Sequence, residues 1–353
     1  MVPHGALFAK LSQMGIRGRC LQFLQGLYAH SSIQVRVGAG SNAHYSEPFP
    51  LLRGLRQGCP LSPVLFNFFI NDLMDHTPTG DHTFGVTVPY GGRPYRCDYR
   101  VNGALFADDC VGFSDSIATV KGFCRHVEDW CDANEMEVGI AKCGILEVPA
   151  HGHPAVLLDE DNPLRNDLTI GGERVPIVTS YHYLGLDMVA SLDVATMVES
   201  RFSIGAKRTS VLQPFLTNSM IPLNIKKRVM DAVVLPTLLY GAEIYGMNRR
   251  LTDRMQTLVN RCYRSILGLN KFPLSKIPSV GLWTECGAHP ICALAASRRA
   301  RAFLKSFKLK SQISFMVRNP LRARRWTWVT GCNRWFRTHA LKWLLPNDAD
   351  GVS

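Results

Sequence analysis

The chain is 353 residues long, enough for two domains with separate cores, and it carries 40 Lys and Arg against 28 Asp and Glu, a net charge of +12. Its eleven cysteines are odd in number and show no paired framework, and the first residues lack a charged stretch leading into an apolar run; a secreted disulfide scaffold is excluded, and reduced thiols in an intracellular setting, nucleus or cytoplasm, are expected. The most apolar window, Val229 to Met247, holds Asp231, Pro236 and Glu243, so a membrane span is excluded too.

Leu7 to Leu27 reads as two short helices separated at Gly15–Gly18, with Leu7, Leu11, Met14 and then Leu21, Leu24, Leu27 facing inward. Ile33, Val35 and Val37 alternate as in a strand. Leu52 to Gly58 ends in Arg56-Gln57-Gly58, which offers a cation, an amide and a residue without Cβ that lets backbone approach a ligand. Pro60 and Pro63 then stiffen the chain. Ser62 fits an N-cap with Pro63 at the first helical position, and Leu65, Phe66, Phe69, Ile70 and Leu73 follow at helical spacing. Residues 78–100, rich in Gly, Pro and Tyr, form a loop or hairpin.

Ala104 to Phe113 places Asp108 and Asp109 between two short apolar runs, predicting two buried strands with the acidic pair at the turn. Two adjacent carboxylates in an apolar setting are costly unless a cation shares them, and a divalent metal held through oxygens is the usual remedy. A solvated Asp-Asp turn is the competing reading. Ile117 to Asn134 is predicted helical, Met136 to Val148 a strand region containing Lys142, Asp159 to Arg165 a polar loop, and Leu168 to Val175 a hairpin turning at Gly171-Gly172. After residue 193 the pattern is helical, punctuated by Pro214, Pro222 and Pro236. Cys286, His289 and Cys292 have no fourth partner at a zinc-site spacing, so buried small hydrophobes are the better reading of the cysteines.

The charge is local. Between Arg298 and Trp343 stand thirteen Lys or Arg and no Asp or Glu, interleaved with Phe303, Phe307, Trp326, Trp328, Trp335, Phe336 and Trp343. Cations for phosphates and flat rings for stacking predict a nucleic-acid surface, with Arg298, Arg299, Arg301, Lys305, Arg322, Arg324 and Arg325 as backbone contacts. An amphipathic tail whose rings pack inward is the alternative.

The segments Arg56-Gln57-Gly58-Cys59-Pro60-Leu61-Ser62-Pro63 and Phe106-Ala107-Asp108-Asp109 resemble the reverse transcriptase domain of non-LTR retrotransposons and, more loosely, of group II introns. Trp130 to Met136 with Lys142, then Tyr181 to Gly185, Leu235 to Glu243 and Arg261 to Gly268, are similar to later segments of that family in the same order. The resemblance implies an α+β fold: a polymerase palm, an antiparallel sheet with packed helices, over residues 1–190; an all-helical thumb-like region over 191–297; and a basic tail over 298–353. It implies metal-binding, catalytic roles for Asp108 and Asp109, a nucleotide and template side at Arg56, Gln57 and Gly58, and a primer grip at Tyr183, Leu184 and Gly185. Lys142 would protonate the leaving pyrophosphate, although a surface lysine ending a strand reads equally well.

The implied cofactors are two Mg²⁺ ions, with Mn²⁺ an option, and the implied partners are an RNA template, a DNA primer and dNTPs. Val2-Pro3-His4 resembles the stretch after the family's first acidic motif, so that motif and the fingers are expected upstream of Met1, leaving an incomplete palm. Asp72, Asp75 and Asp115 are not good substitutes: the first two read as solvated acids at a helix end, the third sits on the strand leaving the turn. The expectation is an inactive isolated chain; a non-catalytic nucleic-acid-binding remnant is the alternative.

Overall fold

The structure, a computed structural model, describes residues 1–74, 84–90, 97–149, 153–270, 277–319 and 327–339. The fold mixes helices with small sheets and divides into two compact units. Met1–Val88, Tyr99–Ile145 and Val156–Ile177 form the first, and Pro89–Asp98, Leu146–Ala155 and Val178–Ser353 the second. Among the described residues the strands make two-stranded pieces, and every pair whose register is described is antiparallel, as expected of the first unit, without joining into one sheet. Among the described residues no strand exceeds five residues.

The first unit is organised around the helix Ile117–Ala133, the platform helix below. It starts at a capping box in which the Ser116 and Thr119 side chains each accept from the other's backbone N–H. Phe123, His126 and Trp130 recur at helical spacing on one side, and Val120, Cys124 and Val127 on another. The first set meets the helix Ser62–Ile70 and the acidic strands; the second packs with Ile140, Ile145, Ile170 and Val175. Ile170 belongs to the expected hairpin, where Thr169–Ile170 pairs with Glu173–Arg174 across Gly171 and Gly172 at φ +60° and +76°.

The first helices run His4–Gln13 and Gly18–Ala29, broken where expected, and bury Leu7, Leu11 and Leu24; Met14 stays 43% exposed. The alternation at 33–37 does not mark a buried strand. Ser32–Ile33 and Arg36–Val37 are two-residue pieces with different partners, and Ile33, Val35 and Val37 are all exposed.

In the second unit every element from Val194 onward is helical. Pro214 does not break the helix Val194–Thr217 but lies in its last turn, where the Thr217 hydroxyl donates to the Gln213 carbonyl. Pro236 has a larger effect: the helix Leu223–Val229 widens into a π-turn, Met230–Val234, just before it. Met230, Val234, Leu238, Tyr245, Met255, Val259, Tyr263 and Ile291 build the main core, and Cys286 is buried in it, as the hydrophobe reading expects. The aromatic reading of the tail resolves toward packing. Phe303, Phe307 and Phe336 are buried in a second core with Trp328 and Trp335 against it, so these rings are not a stacking surface. Trp326 and Trp343 lie outside the described residues. Among the described residues, no helix is long and apolar enough to cross a membrane.

Candidate active site

Gly103–Phe106 and Asp109–Gly112 pair antiparallel with Phe106 opposite Asp109, so Ala107 and Asp108 form a two-residue turn. Ala107 is left-handed at φ +53°, a conformation that costs a residue with Cβ about 1–2 kcal/mol. The acidic pair is therefore split, Asp108 in the turn and Asp109 on the first paired position. Both are exposed, and the strands are buried on one side only: Ala104 and Phe106 face solvent, Phe106 at 63%. The expected buried strands are half-buried, because a two-stranded ribbon with one packed face leaves alternate side chains in water.

The packed face carries Cys110. Burial first, and then the nearby thiols of Cys131 and Cys143, push the Cys110 thiol up to about 12. It is protonated at neutral pH and serves as a small hydrophobe holding the strand down. At the far end Gly112 touches the Phe123 ring: a Cβ there would sit 2.6 Å from it. The acidic turn is thus fixed to the platform helix by residues that carry no charge.

Arg56, Gln57 and Gly58 form a tight turn in which the Cys59 N–H donates to the Arg56 carbonyl at 3.2 Å, with Gly58 at φ +81°. All three are exposed, and a Cβ on Gly58 would meet nothing within 4 Å. Ser62 is not the N-cap. The helix begins at Ser62 itself, Leu61 precedes it, and the Ser62 hydroxyl donates back to the Arg56 carbonyl at 2.6 Å, tying the turn to the helix. Upstream, the Gly54 N–H donates to the Val2 carbonyl at 2.7 Å and His4 Nε2 lies 2.8 Å from the Gly54 carbonyl.

Three residues whose joint role no motif shows seat this helix. Lys10 Nζ donates to the Phe69 carbonyl at 2.9 Å and to Asp72 Oδ1 at 2.7 Å, and stands 4.6 Å from the Trp130 ring. Trp130 Nε1 donates to the same Asp72 oxygen at 2.9 Å. Asp72 does lie at the helix end, half-exposed as its position suggests, but it is tied there by Lys10 and Trp130. One position past Asp72, the Leu73 carbonyl lies 2.8 Å from His126 Nε2. The helix that follows the glutamine-bearing turn and the hairpin that carries the acidic turn therefore rest on one helix, through Trp130 and His126 for the first and Phe123 for the second.

Lys142 closes a 3-10 turn, Ile140–Lys142, instead of riding on a strand; its N–H donates to the Gly139 carbonyl at 2.8 Å. The strand that follows is only Ile145–Leu146. Lys142 is exposed, and the adjoining Cys143 packs on the platform helix.

In the second unit, Ser180–Tyr183 pairs with Leu186–Val189, and Leu184 and Gly185, at φ +46° and +77°, form the turn. Arg201, which sequence reading missed, and Tyr240, which it placed only within a family-like segment without a role, support it. The Tyr240 hydroxyl donates to the Leu184 carbonyl at 2.6 Å, and the Arg201 guanidinium lies 4.7 Å from the Tyr240 ring. A Cβ on Gly185 would come within 3.3 Å of Tyr240. On the same hairpin His182, and then Ser200, hydrogen-bond Asp187 and hold its carboxyl below the usual range.

The basic tail divides. Arg298 Nη1 donates to the Leu239 carbonyl at 2.9 Å, and Arg299 is 3.3 Å from Cys332 Sγ and 3.2 Å from the Trp328 carbonyl. These guanidiniums spend donors inside the protein, whereas Arg301 and Lys305 are exposed. Arg322, Arg324 and Arg325 lie outside the described residues.

Asp108 and Asp109 are hard, exposed oxygen donors of the type Mg²⁺ and Mn²⁺ take, and they fit part of such a site. Among the described residues, no group of three or more His, Cys, Asp or Glu comes close enough to hold a metal ion.

Residues 1–188 match the family model described as "Reverse transcriptase (RNA-dependent DNA polymerase)". The chain is 24% identical over 275 residues to the Pol polyprotein of a type-1 R2 retrotransposable element of Popillia japonica, covering 74% of this chain and 34% of that protein. It is 20% identical over 229 residues to the RNA-directed DNA polymerase of the mobile element jockey of Drosophila melanogaster, covering 62% and 22%. A type-2 R2 polyprotein of Drosophila melanogaster is 23% identical over 196 residues, covering 54% and 16%. The chain thus spans well under half the length of these curated relatives.

Proposed function

Because the chain belongs to the reverse transcriptase family and is similar to non-LTR retroelement polyproteins, we propose that it contributes part of a catalytic palm, with a helical thumb-like region, to template-directed DNA synthesis. The observation that supports this reading is that the helix following the Arg56-Gln57-Gly58 turn and the hairpin bearing Asp108 and Asp109 both rest on one helix. Asp108 and Asp109 would hold Mg²⁺ or Mn²⁺. When bound, paired ions of this kind activate a primer hydroxyl and neutralise a triphosphate. The open space over Gly58 lets backbone and the Gln57 amide approach a nucleotide or template base, while Arg56 offers a charge-assisted contact to phosphate. Lys142 would donate a proton to the leaving pyrophosphate. Leu184 and Gly185, stiffened by Tyr240, would bear on a primer end. RNA template, DNA primer and dNTPs are the proposed partners, in a reducing compartment, nucleus or cytoplasm, where the free thiols persist.

Two adjacent carboxylates of one hairpin cannot bridge two ions by themselves; a carboxylate from another strand is needed. The 353-residue polypeptide alone is therefore expected to give no appreciable primer extension on an RNA template with Mg²⁺ or Mn²⁺. Incorporation of dNTPs that Asp108→Ala abolishes would show that the chain completes the site unaided. Salt-dependent RNA binding without synthesis is the result expected of the polypeptide, and it is also what a non-catalytic nucleic-acid binder gives; the exposed Arg301 and Lys305 favour that second reading.

A further inference from the structure

In the first unit, Ser32–Ile33 with Phe49–Pro50 and Arg36–Val37 with His44–Tyr45 make one short ribbon, and residues 32–40 and 44–50 are exposed throughout. Three residues separate Tyr45 from Phe49 and two separate Ile33 from Arg36, a bulge in the second strand. Ile33, Val35 and Val37 alternate along one face, where Phe49 joins them as the cross-strand partner of Ile33. They are 40%, 52%, 66% and 44% exposed. Gln34 and Arg36 take the other face, with Arg36 near the Tyr45 ring. Two strands alone are marginally stable in water, and this pair also presents an apolar stripe.

The two edges of the ribbon differ. The Leu51 N–H donates to the Ser31 carbonyl, the Ser46 N–H to the Val35 carbonyl, and the Val35 N–H to Ser46 Oγ. Odd-numbered residues of the first strand thus turn their backbone groups toward the second strand, and those of Ser32, Gln34 and Arg36 point outward. Among the described residues no third strand meets that edge. Residues 32–37 hold no proline and no acidic residue, so the edge is open to another strand. The opposite edge is guarded, because Pro48 and Pro50 have no N–H to offer.

We propose that this open edge pairs with the same edge of a second copy of the chain, antiparallel about a two-fold axis at Val35. The outward backbone groups belong to even-numbered residues, so the hydrogen-bonded pairs must join two even positions. An axis at Val35 does so, setting Gln34 opposite the partner's Arg36. Val35 then faces the partner's Val35, and Ile33 the partner's Val37, in the closer spacing of non-hydrogen-bonded pairs. An axis at Arg36 would oppose two like charges. An axis at Gln34 would leave Val37 opposite the partner's Ser31 and lose an apolar contact. Six residues a side fall well short of the roughly 20–30 of a standard interface, so association is expected at about 10–100 µM.

Sedimentation velocity of the full chain, from well below to well above that range, should show a monomer–dimer equilibrium. Val35→Lys sets two ammonium groups face to face and should raise the dissociation constant about tenfold or more. Gln34→Glu puts a carboxylate opposite the partner's Arg36 twice and should lower it about fivefold at low salt. Val211→Lys is the control: this valine, 81% exposed on the helix Val194–Thr217 of the second unit, should leave association unchanged. Should Val35→Lys fail to fold, Gln34→Glu decides. A chain that stays monomeric at every concentration overturns the pairing, as does a dimer that the two lysine variants weaken equally. Assemblies that keep growing with concentration overturn it too, because a two-fold pair closes at two. A dimer that Gln34→Glu weakens would overturn the axis at Val35.

Discussion

Gly103→Ala should open the acidic hairpin. A Cβ on Gly103 would lie 2.1 Å from the Val111 carbonyl oxygen and 2.9 Å from Met74 Cε. The methionine can swing away; the carbonyl belongs to the partner strand and cannot move without separating the ladder. Overpacking against a core costs about 1–3 kcal/mol, and a backbone obstacle puts this case at the upper end, about 3 kcal/mol. Separating Gly103 from Val111 loosens the ladder that ends in the turn bearing Asp108. Hydrogen exchange of the hairpin amides is the appropriate readout, because a chain with two compact units has no single unfolding midpoint. The hairpin amides should exchange roughly a hundredfold faster, as 3 kcal/mol implies. Gly139→Ala is the control: a Cβ there meets nothing within 4 Å, and its effect should stay within about 0.5 kcal/mol. Hairpin amides as well protected in Gly103→Ala as in the unsubstituted protein would contradict the close approach.

Phe69→Ala should be the most damaging substitution in the first unit that leaves every charge in place. Phe69 is fully buried, meets Trp130 edge-on at 5.7 Å between ring centres, and lies 4.7 Å from Lys10 Nζ. Removing a ring from such a position costs about 3–5 kcal/mol through lost transfer energy and the cavity left behind. The cavity would also wet the largely buried Lys10 and weaken its hydrogen bonds to the Phe69 carbonyl and Asp72. The expected result is rapid hydrogen exchange throughout Ser62–Ile70 and in the last turns of Ile117–Ala133. Phe68→Ala, one position along and 37% exposed, should cost under about 1 kcal/mol. Similar losses in the two variants would mean that Phe69 does not seat the glutamine-bearing turn.

The parts of the fold that were legible in the sequence are those set by neighbours in the chain. Gly15 and Gly18 mark the first helix break, Gly171-Gly172 a two-residue turn, and Leu65, Phe69 and Ile70 a buried stripe, because each depends on spacing within a few residues. Boundaries set by competition were not legible. Ser62 looked like a cap, but its hydroxyl had a better acceptor in the Arg56 carbonyl once the turn had closed. Lys142 looked like a strand residue, but Gly139 and Ile140 close a 3-10 turn there.

The support of the site was the least legible part. Lys10, Asp72 and Trp130 lie 58 to 120 residues apart, so no local pattern joins them. One signal was available: Lys10 sits beside Leu7 and Leu11 on the inner stripe of a short helix, where a cation needs a partner. Tyr240 stands in the family-like segment Leu235 to Glu243, but nothing in the sequence joined it to the Leu184 turn. The tail misled for a different reason. Alternating rings and cations have the composition of a nucleic-acid surface, yet composition does not say which way a helix turns its rings, and packing around Phe303 turned these inward.

The central claim is that the turn of Asp108 and Asp109 binds a divalent cation. The direct measurement is paramagnetic broadening by Mn²⁺ in NMR spectra of the full chain, repeated on D108N/D109N. The account predicts broadening centred on Phe106 to Cys110, spreading toward Phe123 on the platform helix, and abolished in the double variant. Broadening centred elsewhere, or equally strong there without the two carboxylates, would contradict it.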